Sequence, residues 1–283
     1  MSNQTGILHI VSTPIGNLGD MSQRGQQVLK SVAVIAAEDT RHSQKLLRNF
    51  AITTPCVAYH EHNERVMTAK LLARLESGED IALITDAGTP LLSDPGYHLV
   101  RAAHQHHIRV VPVPGASALL AALSAAGLPT DRFIFEGFLA NKQVARQKQL
   151  TYIKNEPRTL VFYEAPHRIL GCLNDMAAIF GPEREAVMAR ELTKTYETIR
   201  MDTLGSLTNW VAEDPQQQRG EIVLVVAGAP VRAADEPVEE VEQVMRVLLQ
   251  HLPVKQAAAI GAELTGEKKN KLYDYALKMK TNP

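Results

Sequence analysis

The sequence predicts an α/β fold with two α/β domains and a small C-terminal helical module. Short runs rich in Val, Ile and Leu alternate with helical patterns over the first 126 residues, and the alternation resumes after residue 130. Such alternation is typical of βα units. We expect an N-terminal domain with a parallel sheet over residues 1–120, a second domain over 121–229, and a helix-turn-helix-like tail over 233–283. The helix before Gly127 could belong to either domain.

The N-terminal domain is predicted to contain five strands. Its apolar runs are too short for helices, and several are too continuously apolar for half-exposed strands. They span residues 7–11, 32–37, 56–59, 81–85 and 108–113. Apolar residues at helical spacing over 21–32 and 67–75 predict helices between the strands.

The same reading predicts strands and helices for the rest of the chain. Strands are expected at 133–138, 159–163, 186–189 and 222–227, with helices at 144–153, 167–179 and 205–213. Apolar spacing predicts three tail helices, with Gly266 near a turn. The tail is polarised, with acids concentrated before residue 250 and lysines after it. It could be a nucleic-acid-binding module or a helical cap on the second domain.

Composition excludes several classes of protein. Of 283 residues, 45% are hydrophobic and 22% charged, which is typical of globular domains. Thirty basic and 31 acidic residues give a net charge of −1, so any basic surface must be local. The two cysteines indicate neither disulfides nor a zinc site, which favours a reducing cytoplasm. Without a signal-like start or a long apolar run, we expect neither export nor a membrane span.

Five polar loops follow the predicted strands of the first domain. They read Ser12-Thr-Pro-Ile-Gly-Asn17, Glu38-Asp-Thr-Arg41, His60-Glu-His-Asn-Glu64, Asp86-Ala-Gly-Thr-Pro90 and Pro114-Gly-Ala-Ser117. Open α/β sheets bind ligands outside the carboxyl ends of their strands. We therefore expect these loops to meet at one edge of the sheet and to line a ligand site.

The loops differ in what they indicate. The first lacks the GxGxxG and GxxxxGK[ST] patterns, which argues against NAD and a phosphate loop. Residues 86–96 hold two prolines, two glycines and two aspartates, which favours a shaped ligand loop. Residues 114–117 open a helix whose free N–H groups could meet a polar ligand. His60 and His62 lack a third ligand at recognisable spacing, so we predict no metal.

Charged groups follow several strands of both domains. Asp39 or Thr40 could cap a helix, whereas Arg41 is suited to phosphate or carboxylate recognition. In the second domain, residues 163–168 and 190–194 are dense in groups that move protons or bind phosphate. The basic residues just after Phe138 could contact nucleic acid or form a solvated helix face.

The ordered motifs resemble one known family. They read TPIGNLGD, AEDTR, HEHNE, DAGTPLLSDPG, PGAS, FEGFL, FYEAPHR, RELTK and GE. The series is similar to the bacterial ribosomal RNA small-subunit ribose 2′-O-methyltransferase I family, within the tetrapyrrole-methylase-like class III methyltransferases. The resemblance runs from about Leu8 to Ala227 and extends into the tail.

The resemblance implies a tetrapyrrole methylase fold with S-adenosylmethionine in the cleft between the two domains. It also implies a homodimer that methylates the ribose 2′-hydroxyl of a cytidine in the decoding region of 16S rRNA, on the assembled small subunit. The cofactor-binding residues implied are Pro14, Asp86, Ala87, Gly88, Leu91, Gly115, Ala116, Ser117, Ala118 and Ala189.

Chemistry assigns further expected roles. A ribose hydroxyl is a weak acid, so a general base or a cation that stabilises the alkoxide should help the transfer. The catalytic candidates are Glu164, Glu191, Asp39, Arg41 and Lys194. Our hypothesis is that Glu164 or Glu191 is the base. The expected RNA contacts are Arg41, Lys142, Arg146, His167, Arg168 and Arg190.

Two other functions remain open at this point. A tetrapyrrole-precursor methyltransferase would need a broad apolar trough, whereas 5% aromatic residues and basic loop ends favour RNA. A non-catalytic RNA-binding assembly factor would use the basic tail and would not bind S-adenosylmethionine.

Overall fold

The computed structural model describes residues 5–230 and 239–281. Its contacts divide the chain into two units, Met1–Ala229 and Pro230–Pro283. Of the predicted tail, 233–283, residues 233–238 and 282–283 lie outside the described residues. Within the described ranges, no helix combines the length and the apolar character needed to cross a membrane.

The first sheet contains five parallel strands, as predicted, in the order β3-β2-β4-β1-β5. The strands are β1 Ile7–Val11, β2 Val34–Ala37, β3 Cys56–Ala58, β4 Ile81–Ile84 and β5 Arg109–Val113. The helices between them are α1 Gln23–Ser31, α2 Thr40–Asn49, α3 Glu64–Glu76 and α4 Tyr97–Gln105. Strands β2 and β4 are buried along their whole length. Apolar clusters cover both faces of the sheet, which explains their continuously apolar sequences.

The second sheet is mixed, with the order β6-β7-β10-β8-β9. Its strands are β6 Phe133–Phe138, β7 Thr159–Glu164, β8 Glu185–Arg190, β9 Thr198–Thr203 and β10 Ile222–Val226. The connecting helices are α6 Gln143–Tyr152, α7 Ile169–Phe180 and α8 Leu204–Glu213. Strand β9 was not predicted from the sequence. Its apolar residues, Ile199 and Met201, are only two and lie on the exposed face of this edge strand.

Helix α5, Ala118–Ala125, connects the two sheets. It follows the last strand of the first sheet, yet its Leu119 and Leu123 belong to one apolar cluster with Val161 and Val225 of the second sheet. The boundary expected at residue 120 thus falls inside a helix that packs on the second sheet.

The described part of the tail unit forms the helices α9 Glu239–His251, α10 Val254–Thr265 and α11 Lys269–Thr281, which confirms a C-terminal helical module. They enclose their own apolar core. Gly266 ends α10 in the left-handed conformation, with φ at 73°. Gly261 allows close packing, since a Cβ there would lie 2.5 Å from the Met245 sulfur.

Arg146 lies inside the second α/β layer, not on a surface. Its side chain is 8% exposed, and that of Asp175 is 3% exposed. The two side chains form an ion pair in which Arg146 Nη2 lies 2.6 Å from Asp175 Oδ2. Gln143 and Gln147 also donate to the Asp175 carboxylate. We therefore correct the expectation that Arg146 contacts RNA, because its guanidinium is buried in an ion pair between α6 and α7.

Breaking this ion pair should destabilise the chain strongly. We expect Asp175→Ala to lower the free energy of unfolding by about 3–5 kcal/mol, because it leaves an unpaired guanidinium in the interior. Urea denaturation followed by circular dichroism measures the loss. The control is Glu79→Ala, which removes the exposed partner of Arg74 and should cost about 0–1 kcal/mol. Equal losses in the two variants would contradict the structural role of Arg146.

Candidate active site

A cavity of about 430 Å³ lies where strand-end loops of the first sheet meet the second sheet. Its volume is within the range of small-molecule sites. The first sheet and its loops contribute Ile15, Glu38, Asp86, Ala87, Gly88, Thr89, Leu92, Ser93, Asp94, Ser117 and Ala118. The second sheet and its loops contribute Phe138, Tyr163, Glu164, Ala165, Pro166, Leu192, Glu221, Ile222 and Val223.

Three loops of the first sheet are tied together at this cavity. Thr13 and Gly88 exchange backbone hydrogen bonds of 2.8 and 3.1 Å. The Thr89 hydroxyl donates to the carbonyl oxygen of Ala116 over 3.0 Å. Gly88 has φ at +89°, a backbone conformation that glycine adopts without strain. The predicted clustering of strand-end loops is present for these three.

The first sheet gives the cavity an acidic wall of Glu38, Asp86 and Asp94. The Thr85 hydroxyl donates to Glu38 Oε2 over 2.7 Å, and the Asp39 N–H donates to Asp86 Oδ1 over 3.2 Å. Burial, together with the charges of Glu38 and Asp86, raises the pKa of Asp94 to about 6. Burial also raises the pKa of Asp86. Such a wall favours a cationic ligand.

The second sheet contributes a buried carboxylate at the end of β7. Glu164 Oε1 accepts a 2.8 Å hydrogen bond from the Ala165 N–H and lies 3.3 Å from Arg168 Nε. Its other oxygen, Oε2, is buried and has no hydrogen-bond partner among the residues that the structure describes. Glu164 is among the residues that line the cavity, and its fully buried carboxylate also interacts with the Cys172 thiol. The carboxylate is thus held in a fixed position at the end of β7.

Glu191 and Lys194 form a separate ion pair beside the cavity. Lys194 Nζ lies 2.7 Å from Glu191 Oε1 and 3.1 Å from Glu221 Oε2, and Glu221 is the one of these three that lines the cavity. Burial favours a higher pKa for Glu191, but hydrogen bonds from Lys194 and the Glu221 N–H outweigh it and lower the pKa. The same two carboxylates raise the pKa of Lys194 against the effect of burial.

The expected cofactor-binding residues divide into two groups. Asp86, Ala87, Gly88, Ser117 and Ala118 line the cavity. The others do not. Pro14 lines a smaller neighbouring cavity that Asp86 also reaches. Leu91 and Ala189 pack in apolar clusters, Gly115 packs closely against Ser12, and the Ala116 carbonyl accepts from Thr89.

The expected RNA contacts also divide. The Arg41 side chain is 91% exposed, and Lys142 and His167 are exposed. Arg168 and Arg190 use their guanidinium groups internally, so direct RNA contact by these two is corrected to a structural role. Arg168 Nη2 donates to the Leu139 carbonyl over 2.6 Å. Arg190 Nη2 donates to Thr198 Oγ1 over 3.1 Å and Nη1 to the Arg219 carbonyl over 3.4 Å.

Asp39 caps a helix. Its carboxylate accepts from the N–H groups of Arg41 and His42 at the start of α2, which lowers the pKa of Asp39. His60 and His62 have ring centroids 5.9 Å apart. In the described part of the chain, no three His, Cys, Asp or Glu side chains are grouped as metal ligands.

Glu38, Asp94, Phe138 and Tyr163 are among the cavity-lining residues that were not predicted from the sequence. All four belong to the ordered motifs of the sequence. Asp94 follows Asp86 by eight positions in the same constrained loop, so the loop composition carried a signal for it. For Phe138 and Tyr163, the signal was only their position at the ends of strands.

Comparison with known proteins assigns the class. A family model for Tetrapyrrole (Corrin/Porphyrin) Methylases matches residues 7–208, and one for the RsmI C-terminal HTH domain matches residues 235–280. A solved uroporphyrin-III-C-methyltransferase from Thermus thermophilus is 20% identical, with a TM-score of 0.55, over 79% of this chain and 95% of that chain. A diphthine synthase is 15% identical, with a TM-score of 0.58, over 78% of this chain and 90% of that chain. The fold is that of the tetrapyrrole methylases.

Curated relatives narrow the class. Proteins named Ribosomal RNA small subunit methyltransferase I are 58% identical in Pseudomonas aeruginosa, over 96% of this chain and 97% of the relative, and 52% identical in Escherichia coli O157:H7, over 97% and 96%. One from Synechocystis is 46% identical over 98% of this chain and 99% of the relative. The chain belongs to the ribosomal RNA small subunit methyltransferase I family.

The cofactor of this methyltransferase is S-adenosylmethionine, and a solved uroporphyrin-III C-methyltransferase is described as complexed with S-adenosylhomocysteine. The cavity fits the cofactor. Its acidic wall suits a sulfonium and an ammonium group. The Ser117 hydroxyl is buried, lines the cavity and has no partner among the described residues. Gly88 lets the backbone approach a ligand closely.

Asp94 should make stability depend on pH. Its folded pKa of about 6 lies above the unfolded value of about 3.8, so ionisation costs stability as pH rises through 6. We expect Asp94→Asn to raise the free energy of unfolding by about 1 kcal/mol at pH 8, allowing for partial solvent screening, and to change it little at pH 4. Urea titrations at both pH values measure this.

The matched control is Asp202→Asn. The pKa of Asp202 is lowered by hydrogen bonds from Arg200 and the Thr203 N–H, so the ionised form stabilises the fold. This variant should lose stability at pH 8, the opposite sign. A destabilised Asp94→Asn at pH 8 would contradict the acidic-wall analysis.

Proposed function

We propose that the chain transfers a methyl group from S-adenosylmethionine to the ribose 2′-hydroxyl of a cytidine in the decoding region of 16S rRNA, with the assembled small subunit as substrate. The family assignment supports ribosomal RNA as the acceptor. The observation that carries a hydroxyl acceptor is Glu164, a buried carboxylate among the residues that line the cavity, whose Oε2 has no hydrogen-bond partner among the described residues.

Glu164 is suited to remove the hydroxyl proton. The 2′-hydroxyl is a weak acid, so a base within hydrogen-bond reach assists attack. Its Oε1 is held by the Ala165 N–H and Arg168, while Oε2 accepts no hydrogen bond among the described residues. S-adenosylmethionine supplies the electrophilic methyl group when bound. We expect most of the rate enhancement to arise from holding acceptor and donor together in the cavity.

The other candidates are less suited to be the base. Glu191 is paired with Lys194, and its lowered pKa makes it a weaker base. Asp39 is used as the cap of α2. We assign Glu191 and Lys194 to holding Glu221 at the cavity, and the exposed Arg41 to phosphate contact near the entrance.

The proposal includes a homodimer in the cytoplasm. Edge strand β9 has a single neighbouring strand and exposes Ile199 and Met201, and the preceding Tyr196 is 75% exposed. An edge strand with exposed apolar side chains is suited to pair with a second copy.

The product tests the proposal. Wild-type protein is incubated with labelled S-adenosylmethionine and small subunits that lack its modification, and the RNA is digested to nucleosides. We expect the label on the ribose of one cytidine, and more label on subunits than on naked 16S rRNA. Label on a base, on protein or on a tetrapyrrole precursor would overturn the assignment.

Glu164→Gln should reduce methyl transfer without weakening cofactor binding. The amide keeps the shape of the side chain but cannot accept the proton, so we expect kcat to fall about 10²–10⁴-fold. Single-turnover methylation and calorimetric titration with S-adenosylmethionine measure the two effects. Glu136→Gln, an exposed acid on β6, is the control and should match wild type. Wild-type turnover in Glu164→Gln would exclude Glu164 as the base.

A further inference from the structure

Phe138 is an unusual residue in the cavity wall. It is 54% exposed, whereas the aliphatic side chains Ile15, Leu192 and Ile222 of the same wall are at most 7% exposed. Among the described residues that line the cavity, it is the only large apolar side chain in the exposed class. Exposing an aromatic ring forgoes burial energy, which indicates a ligand that covers it.

A β-bulge turns Phe138 toward the cavity. The register of β6 against β7 shifts between Phe135 and Gly137, so that Phe138 lies opposite Tyr163 while Phe135 lies opposite Val161. Between these two pairs, β6 has one residue more than β7. Without that extra residue, positions 135 and 138 would face opposite sides of the sheet. Gly137, at the bulge, has φ at +65°, a conformation that glycine adopts without strain.

Neighbouring aromatic rings support the Phe138 ring. The Phe138 and Tyr163 rings lie 5.6 Å apart at 64°, and the Phe135 and Tyr163 rings lie 4.8 Å apart at 68°. The Tyr163 hydroxyl accepts a 3.2 Å hydrogen bond from the Leu119 N–H at the start of α5. These edge-to-face contacts hold the Phe138 ring in a fixed orientation.

The segment that follows Phe138 is fixed by the same arginine that contacts Glu164. Arg168 donates to the Leu139 carbonyl over 2.6 Å and to Asn141 Oδ1, and its Nε lies 3.3 Å from Glu164 Oε1. The exposed Lys142 comes next in the chain. The aromatic surface and the buried carboxylate are therefore held in a fixed relation, with a cation at the edge.

We infer that Phe138 is the stacking platform for a nucleobase of the RNA substrate, extruded from its neighbours so that its ribose enters the cavity. This inference rests on the proposed function. Sequence-specific RNA recognition targets unstacked bases that bind on aromatic rings, and enzymes that modify a base likewise hold it out of the stack. The acidic wall repels phosphates, so the nucleotide enters on the side of Phe138, Pro166 and the exposed His167.

The test compares Phe138→Leu with wild type on unmodified small subunits. Loss of base stacking should lower kcat/KM about 5- to 150-fold, while the dissociation constant for S-adenosylmethionine stays within about 2-fold. Phe138→Tyr keeps the ring and should restore kcat/KM to within about 3-fold of wild type. Phe133→Leu, on the same strand and 38% exposed but not in the cavity wall, should match wild type.

A modified substrate isolates the base itself. Subunits are reconstituted with 16S rRNA whose target nucleotide has a ribose but no base. Removing the base should lower kcat/KM of wild type by the same factor as Phe138→Leu, and should lower that of the variant little further. If removal of the base and Phe138→Leu lower kcat/KM independently, so that the two factors multiply, the inference is wrong. It is also wrong if Phe138→Leu loses as much affinity for the cofactor as it loses in kcat/KM.

These experiments distinguish failure of the Phe138 inference from failure of the proposed function. If wild type labels ribose and Phe138→Leu is as active as Phe133→Leu, the platform is wrong and the proposed function stands. If wild type puts no label on ribose, the proposed function fails and the platform fails with it. Cofactor titration of each variant shows that it is folded, so a misfolded protein is not mistaken for a loss of stacking.

Discussion

The cavity depends on the apolar contact between α5 and the second sheet. The helix leaves the first sheet through the loop at Ser117 and places Leu119 and Leu123 against Val161 and Val225. Because α5 continues directly from the first sheet, burial of its leucines against the second sheet holds the two sheets together. The same helix start supplies Ser117 to the cavity and donates the Leu119 N–H to the Tyr163 hydroxyl. Packing and ligand binding therefore share one element.

Around that contact, charge is divided between the two sheets. The first sheet provides an acidic wall, while the second provides a buried carboxylate, an aromatic surface and exposed cations nearby. The net charge of −1 gives no sign of this arrangement, because it does not depend on where the charged residues lie. The division matches the two reactants, since the cofactor is cationic at its sulfonium and the proposed acceptor is a polyanion.

Most of the fold could be predicted from the sequence, and less of the site. Strands β2 and β4 were predictable because both faces are covered and their sequences are continuously apolar. Strand β9 was not, since its exposed face holds the apolar residues. For the site, a sequence motif predicts which loop lies at the cavity, but not whether each side chain in that loop faces the cavity. Arg146, Arg168 and Arg190 look like RNA contacts in sequence, yet each finds carbonyl or carboxylate acceptors from segments distant in the chain. Glu164 and Glu191 were distinguished only by their partners.

The raised pKa of Asp94 has a thermodynamic consequence for the cofactor. A cation bound beside Asp94 favours its ionised form, so binding and deprotonation are linked. Near pH 6 we therefore expect cofactor binding to release part of a proton to the buffer, so that its measured enthalpy varies with the ionisation heat of that buffer. Well above pH 6, Asp94 is already ionised and this exchange stops. The acidic wall thus couples cofactor occupancy to the proton balance of the solution.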